Sequence, residues 1–230
     1  MLNSVLEALD RNPGGAIVFD LDSTLFDNGP RTWRILAEFA SAHHPEVLPA
    51  VRAMARHRLA YRLSEICTSI EGWNPAWDAD ALEFWMKRFF IDRYINFDEP
   101  IAGAVEFVRG CYDRGARVIY LTGRDVPAML TGTAESLRAW GFPIGVPGTE
   151  LVLKPDFETD DSVYKASVID RINAYSGTVV ATFENEARNL AVFEKAWPDA
   201  VHLLLDTNFD PRHGVEERER FHRLDDFLAG

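Results

Sequence analysis

Four short apolar runs, each continuous rather than alternating, most limit what this chain can fold into. They are Ala16-Ile17-Val18-Phe19, Arg117-Val118-Ile119-Tyr120-Leu121, Thr178-Val179-Val180-Ala181-Thr182-Phe183 and Val201-His202-Leu203-Leu204-Leu205. An unbroken run of strand length, rich in β-branched and aromatic residues, is what a strand buried on both faces requires. Leu151-Val152-Leu153 is a weaker fifth run, stopped by Pro155. Helix-like stretches separate them: Ile101 to Arg114, Val126 to Trp140, Ser162 to Tyr175 and Glu186 to Trp197. Gly115, Gly141, Gly177 and Pro198 mark their ends. Strands and helices in alternation predict an α/β fold, a doubly wound, Rossmann-like parallel sheet with crossover helices. Ligands of such a sheet collect at the carboxyl ends of its strands.

The stretch from Gly29 to Asn96 breaks this rhythm. It has no strand-like run and shows helical stripes such as Trp33, Leu36, Ala37, Ala40 and Leu59, Leu63, Ile66. The expected organisation is a core of residues 1–28 and 97–230 with a helical insertion, 29–96. Leaving after the first strand and returning before the helix that leads to the second, the insertion has to sit over the strand ends. The tail from Val215 to Leu228, with alternating charges and Phe221, Leu224 and Leu228, reads as a terminal amphipathic helix.

A length of 230 residues suits one core with such an insertion. Lys and Arg number 24 against 36 Asp and Glu, a net charge of −12, so the chain as a whole does not attract nucleic acid or anionic membrane. Cys67 and Cys111 stand far apart, which offers neither a disulfide framework nor a zinc knuckle; buried thiols in a reducing compartment are expected. Glu7 and Asp10 interrupt the first apolar stretch, which does not read as a signal peptide, and no uncharged apolar run reaches 18 residues. The expectation is a soluble, cytoplasmic protein with no membrane partner.

Chemistry is concentrated after the runs. The first ends in Asp20-Leu21-Asp22-Ser23-Thr24. Positions i and i+2 of an extended chain face the same way, and two carboxylates at one point repel unless a cation or a proton intervenes. After Leu121 come Thr122-Gly123-Arg124-Asp125 and Pro127, a hydroxyl, a flexible glycine and a helix N-cap whose amides suit an anion. After Phe183 come Glu184-Asn185-Glu186, oxygen donors suited to a hard cation such as Mg²⁺. Lys165 begins the preceding helix and can reach the same cleft, with Lys154 as its rival.

This order of motifs resembles that of the haloacid dehalogenase superfamily, whose phosphatase members share it. The resemblance covers the whole sheet domain and implies a Rossmann-like core, Mg²⁺ and an aspartyl-phosphate intermediate. The insertion is similar to the superfamily's helical type 1 cap. By this resemblance Asp20 is the nucleophile, and Asp22 is the acid that protonates the leaving oxygen and later activates water. Thr122, with Gly123 and Arg124, binds the phosphoryl group; Lys165 balances charge. Mg²⁺ is held by Asp20, the carbonyl of Asp22 and the cluster at Glu184 and Asn185. The family more often has Asp where Glu184 stands, which leaves direct ligation, ligation through water and a share for Glu186 all open.

The expected activity is hydrolysis of a small phosphomonoester, with a raised pKa at Asp22. The alternatives are a nucleic-acid 3'-end phosphatase, which the lysine spacing resembles and the net acidity opposes, a phosphomutase, and a non-catalytic binding protein on the same fold. Dehalogenation needs no acid at position 22. Six arginines between Arg31 and Ile66 make the insertion locally basic, and Arg52 with Arg56, four residues apart, would share a helix face toward an anionic end of the substrate or else toward solvent. Trp73, Trp77, Trp85, Phe89 and Phe90 are expected to pack the insertion's core, with stacking on a base or sugar as the other use.

Overall fold

The computed structural model describes residues 1–213 and 215–228, so the last two positions of the expected core range, and Gly214, lie outside it. Along the chain come α1 (Leu2–Arg11), β1 (Ala16–Phe19) and β2 (Phe26–Asp27), then α2 (Gly29–His43), α3 (Leu48–Ala53), α4 (Leu63–Thr68), α5 (Asp78–Phe89) and α6 (Asp92–Ile95). The chain returns through β3 (Glu99–Pro100) to α7 (Ala104–Asp113), β4 (Arg117–Asp125), α8 (Val126–Trp140) and β5 (Thr149–Lys154). It ends in α9 (Asp161–Ser167), α10 (Ile169–Ser176), β6 (Val179–Glu184), α11 (Ala187–Ala196), β7 (Val201–Leu205), α12 (Val215–Arg218) and β8 (His222–Leu224).

Six strands form one parallel sheet in the order β5-β4-β1-β6-β7-β8. The doubly wound arrangement read from the apolar runs is present, and β1 lies between β4 and β6. Its four residues are fully buried, and successive side chains serve opposite faces of the sheet. Ile17 and Phe19 join the core beneath α1 and α7, where Phe19 stacks on Phe183 at 4.8 Å; Ala16 and Val18 join the core beneath α9, α10 and α11. Both faces are covered by helices, which is why these runs carry no polar alternation.

β2 and β3 pair antiparallel in a separate two-stranded ribbon, Phe26 against Pro100 and Asp27 against Glu99. The segment between them is helical and has its own apolar cluster, including Leu36, Ala40, Val51, Ile66 and Cys67. It also grips the core. Gly132 of α8 lets the backbone of α6 approach so closely that a Cβ there would stand 2.4 Å from the Asp92 carbonyl oxygen.

Three expectations change. Helix α3 stops at Ala53, and Met54 is extended with ψ 151°, so Arg56, Arg58 and Leu59 stand on a non-helical strap. The strap is drawn out because its backbone bonds the ribbon: the Arg58 N–H donates to Asp27 at 2.9 Å. The stretch from Ser162 to Tyr175 is two helices that meet at Val168. The tail is not one helix: after α12 it adds β8 to the edge of β7. Phe221 and Phe227 bury on opposite faces of the sheet, a division that a strand crossing its edge achieves and a surface helix does not.

Both cysteines are free and buried, as their spacing suggested, Cys67 in the insertion and Cys111 in α7. Burial pushes both thiols up to about 12. At pH 8 about one in ten thousand would be ionised, against about a quarter of free thiols. Neither should react with a disulfide reagent such as DTNB within an hour at pH 8 in the folded protein, and both should titrate at once in 6 M guanidinium.

Candidate active site

The chain leaves β1 through a tight turn that aims two carboxylates at one place. The amides of Thr24, Leu25 and Phe26 all donate to the Leu21 carbonyl, and Ser23, just after the second acid, takes φ 59°, in the left-handed region. That conformation costs a non-glycine residue on the order of 1 kcal/mol, and the Ser23 N–H to Phe26 carbonyl bond of 2.7 Å helps to hold it.

Asp20 is almost wholly buried, and Lys165 faces it. The ammonium lies 2.7 Å from Asp20 Oδ1 and 2.7 Å from Glu184 Oε2, while the Thr24 hydroxyl donates to Asp20 Oδ2 at 2.9 Å. Burial, then the charge of Glu184, push Asp20 up to about 7, against the pull of Lys165. Burial also raises Glu184, and its two carboxylate neighbours keep Lys165 firmly charged. Lys154 points elsewhere: its ammonium is held by Asp161 at 2.8 Å and by two carbonyls of the 157–159 loop. Of the two lysines, Lys165 is the one brought to Asp20.

Asp22 differs from expectation. Arg124 holds it with two bonds, Nε to Oδ2 at 2.8 Å and Nη2 to Oδ1 at 3.0 Å, and Arg31 Nη2 adds a third at 3.0 Å. Burial alone would raise the carboxyl, but Arg124 and Arg31 outweigh it and hold Asp22 well below the usual carboxylate range. The expected raised pKa at Asp22 is therefore corrected: in this arrangement the elevated acid is Asp20.

Arg124, expected at the phosphoryl group, has its guanidinium buried and committed to Asp22, Asp98 and the Thr133 hydroxyl. Thr122 has no exposed surface, and its hydroxyl accepts the Arg124 N–H at 3.2 Å. Gly123 fits only because it lacks a side chain, since a Cβ there would meet the Asp161 carboxylate at 2.3 Å.

A cavity of about 850 Å³ opens over these groups. Asp20, Asp22, Gly123, Lys165, Glu184 and Asn185 lie on its core side, and Leu82, Trp85, Phe89 and Phe90 of the insertion on the other. These last aromatics are thus cavity wall as well as packing, whereas Trp73 and Trp77 pack the insertion's own cluster. Arg52 and Arg56 are not brought to the cavity: both are exposed, and Arg56 pairs with Glu99 at 3.1 Å. The arginines that do line it are Arg31's neighbour in the network, Arg124, together with Arg62 and Arg212.

For a cation, the donors are hard oxygens. Thr24 has one hydroxyl proton for Asp20 Oδ2 and Asn185 Oδ1, 2.9 and 3.3 Å away, and buried Glu186 Oε2 has no partner. Acceptors exceed donors here, which fits a divalent ion. Among the described residues no three His, Cys, Asp or Glu side chains form a metal centre; amide and backbone oxygens lie beside the carboxylates here.

Sequence reasoning missed Asn208, Arg212 and, above all, Asp98, which is fully buried between Arg31 and Arg124. Asp98 precedes β3 with no motif to mark it. Replacing Asp98 with Ala strips both guanidinium groups of a buried counter-charge and should cost about 3–5 kcal/mol of stability. Urea unfolding of Asp98→Ala against the unmodified protein measures it.

No protein-family model and no curated protein matches the chain. Solved structures do. A provisionally assigned phosphatase from Clostridium difficile is 12% identical with a TM-score of 0.59, over 91% of this chain and 94% of that one. A hydrolase from Pseudomonas syringae is 14% identical with a TM-score of 0.53, over 93% and 94%. CbbY from Rhodobacter sphaeroides, solved with phosphate, is 15% identical with a TM-score of 0.51, over 93% and 94%. At these identities the likeness is one of architecture, and the chain shares the α/β fold of these proteins. No helix among the described residues is long and apolar enough to cross a membrane.

Proposed function

We propose that this protein is a Mg²⁺-dependent phosphatase that hydrolyses a small phosphomonoester through an aspartyl-phosphate on Asp20. The observation that carries the reading is the Asp20 carboxylate at the end of the central strand, held by Lys165 at 2.7 Å on the floor of a cavity that Asp22 also reaches. The architecture shared with phosphatases and hydrolases supports it.

In the first step an Asp20 oxygen forms a bond to phosphorus and the bond from phosphorus to the ester oxygen breaks; Asp22, which Arg31 and Arg124 hold ionised without substrate, takes up a proton from solvent as the anionic substrate enters and gives it to that oxygen. In the second, Asp22 takes a proton from water, the water oxygen bonds to phosphorus, and Asp20 leaves as carboxylate with inorganic phosphate as product. Lys165 fixes the orientation of Asp20 and offsets the charge that gathers on the phosphoryl oxygens. Asp20, the Asp22 carbonyl and oxygens of the Glu184 and Asn185 cluster would hold Mg²⁺, which would supply further positive charge there. Arg124 acts on Asp22 rather than on substrate. The helical insertion serves as a cap whose wall meets the leaving group.

Asp20→Asn removes the nucleophile while keeping its size and should lower kcat on p-nitrophenyl phosphate by about 10³-fold or more. Retained activity in that variant rejects the mechanism. Chelation with EDTA should abolish phosphate release, and added Mg²⁺ should restore it. Full activity after exhaustive chelation rejects the metal.

A further inference from the structure

Arg31 is fully buried, and every direction of its guanidinium is occupied. Nε donates to Asp98 Oδ1 at 2.7 Å, Nη2 is shared between Asp98 and Asp22, and Nη1 donates to the Phe89 carbonyl at 2.8 Å. Its planar face lies over the Phe89 ring, 4.1 Å from the centroid, and that ring stacks on Trp85 at 4.2 Å. Arg31 stands in the first turn of α2, just past the ribbon; Asp98 stands where the chain comes back to the ribbon. One side chain therefore touches the acid, the junction between insertion and core, and the cavity wall.

Stability does not explain the cluster. Three charges withdrawn from water, those of Arg31, Arg124 and Asp98, are costly, and apolar replacement of such groups is often neutral or stabilising. A planar fork spanning three partners is instead a device for fixing direction, which an ammonium cannot reproduce.

We infer that Arg31 is a positioning residue for catalysis: it sets the orientation of the Asp22 carboxylate against the leaving oxygen and ties that orientation to the Phe89 and Trp85 wall on which the leaving group packs. This rests on the phosphatase reading above and adds to it the part of the machinery that the insertion contributes.

The inference has a signature of its own. An alkoxide needs a proton as it departs, whereas p-nitrophenolate departs without one, so misplacing Asp22 harms alkyl esters selectively. The experiment compares kcat for 2-phenylethyl phosphate and p-nitrophenyl phosphate, two esters with matched rings. In Arg31→Met the alkyl-to-aryl ratio should fall about tenfold or more, and in Arg31→Lys, which keeps the buried charge and guards against a failure to fold, it should also fall. With Asp22 already replaced by Asn, adding either change should leave the ratio where Asp22→Asn alone puts it. An unchanged ratio in both Arg31 variants, a ratio fully restored by Lys, or the same further fall in the Asp22→Asn background overturns the inference alone. An unmodified protein inert on both esters overturns the phosphatase reading and this inference with it.

Discussion

An ammonium between two buried carboxylates governs this structure. Lys165 is 1% exposed, Asp20 5% and Glu184 1%, so none of the three charges has water to fall back on. Each is tolerable only because the others are present. The arrangement spans three elements, the end of β1, the helix α9 and the end of β6, and it forms only if β1 and β6 are neighbours in register and α9 packs across the sheet. The geometry of the sheet and the chemistry of the site are thus one constraint. Because burial leaves Asp20 reluctant to ionise, the same dryness that strengthens the pairing makes the carboxylate sensitive to any positive charge placed beside it.

The second acid is governed differently. Asp22 sits two residues on, in the same turn, yet two guanidinium groups surround it where one ammonium serves Asp20. The two aspartates are driven in opposite directions by their surroundings, Asp20 upward and Asp22 downward, so that a cation beside Asp20 would bring it back toward the carboxylate that attack requires. Arg124 comes from the sheet and Arg31 from the insertion, so the two halves of the chain meet on this carboxylate.

Much of the sheet was legible because a strand buried on both faces leaves a plain mark, a run without polar interruption. Runs at 16–19 and 201–205 became β1 and β7 with the same limits, and helix α8 spans Val126 to Trp140 between the Asp125 cap and Gly141, as the punctuation of the sequence implied. Positions Asp20, Lys165 and Glu184 came from the same logic, since they follow or face strand ends. What was hidden depends on partners remote in sequence. Nothing local distinguishes Asp98 from a surface aspartate, or Arg31 from the other arginines of the insertion. Arg52 and Arg56 looked paired only on the assumption that one helix held both, and the strap's bonds to Asp27 undo that. The tail misled for a related reason: its apolar spacing suits a helix, but an open sheet edge offered its backbone hydrogen bonds that a surface helix could not match in burial.

The place of β1 in the sheet also bears on how the chain is made. The central strand is made before either of its neighbours: β4 follows only once the whole helical insertion has been synthesised, β6 comes later still, and the strand at the far edge of the sheet later than both. During that interval a fully apolar strand has nothing to pair with, a long wait of the kind that slows folding and exposes a nascent polypeptide to aggregation. The insertion has an apolar cluster of its own, whose members are all synthesised before β4 begins, so its side chains can meet before the sheet exists to receive them.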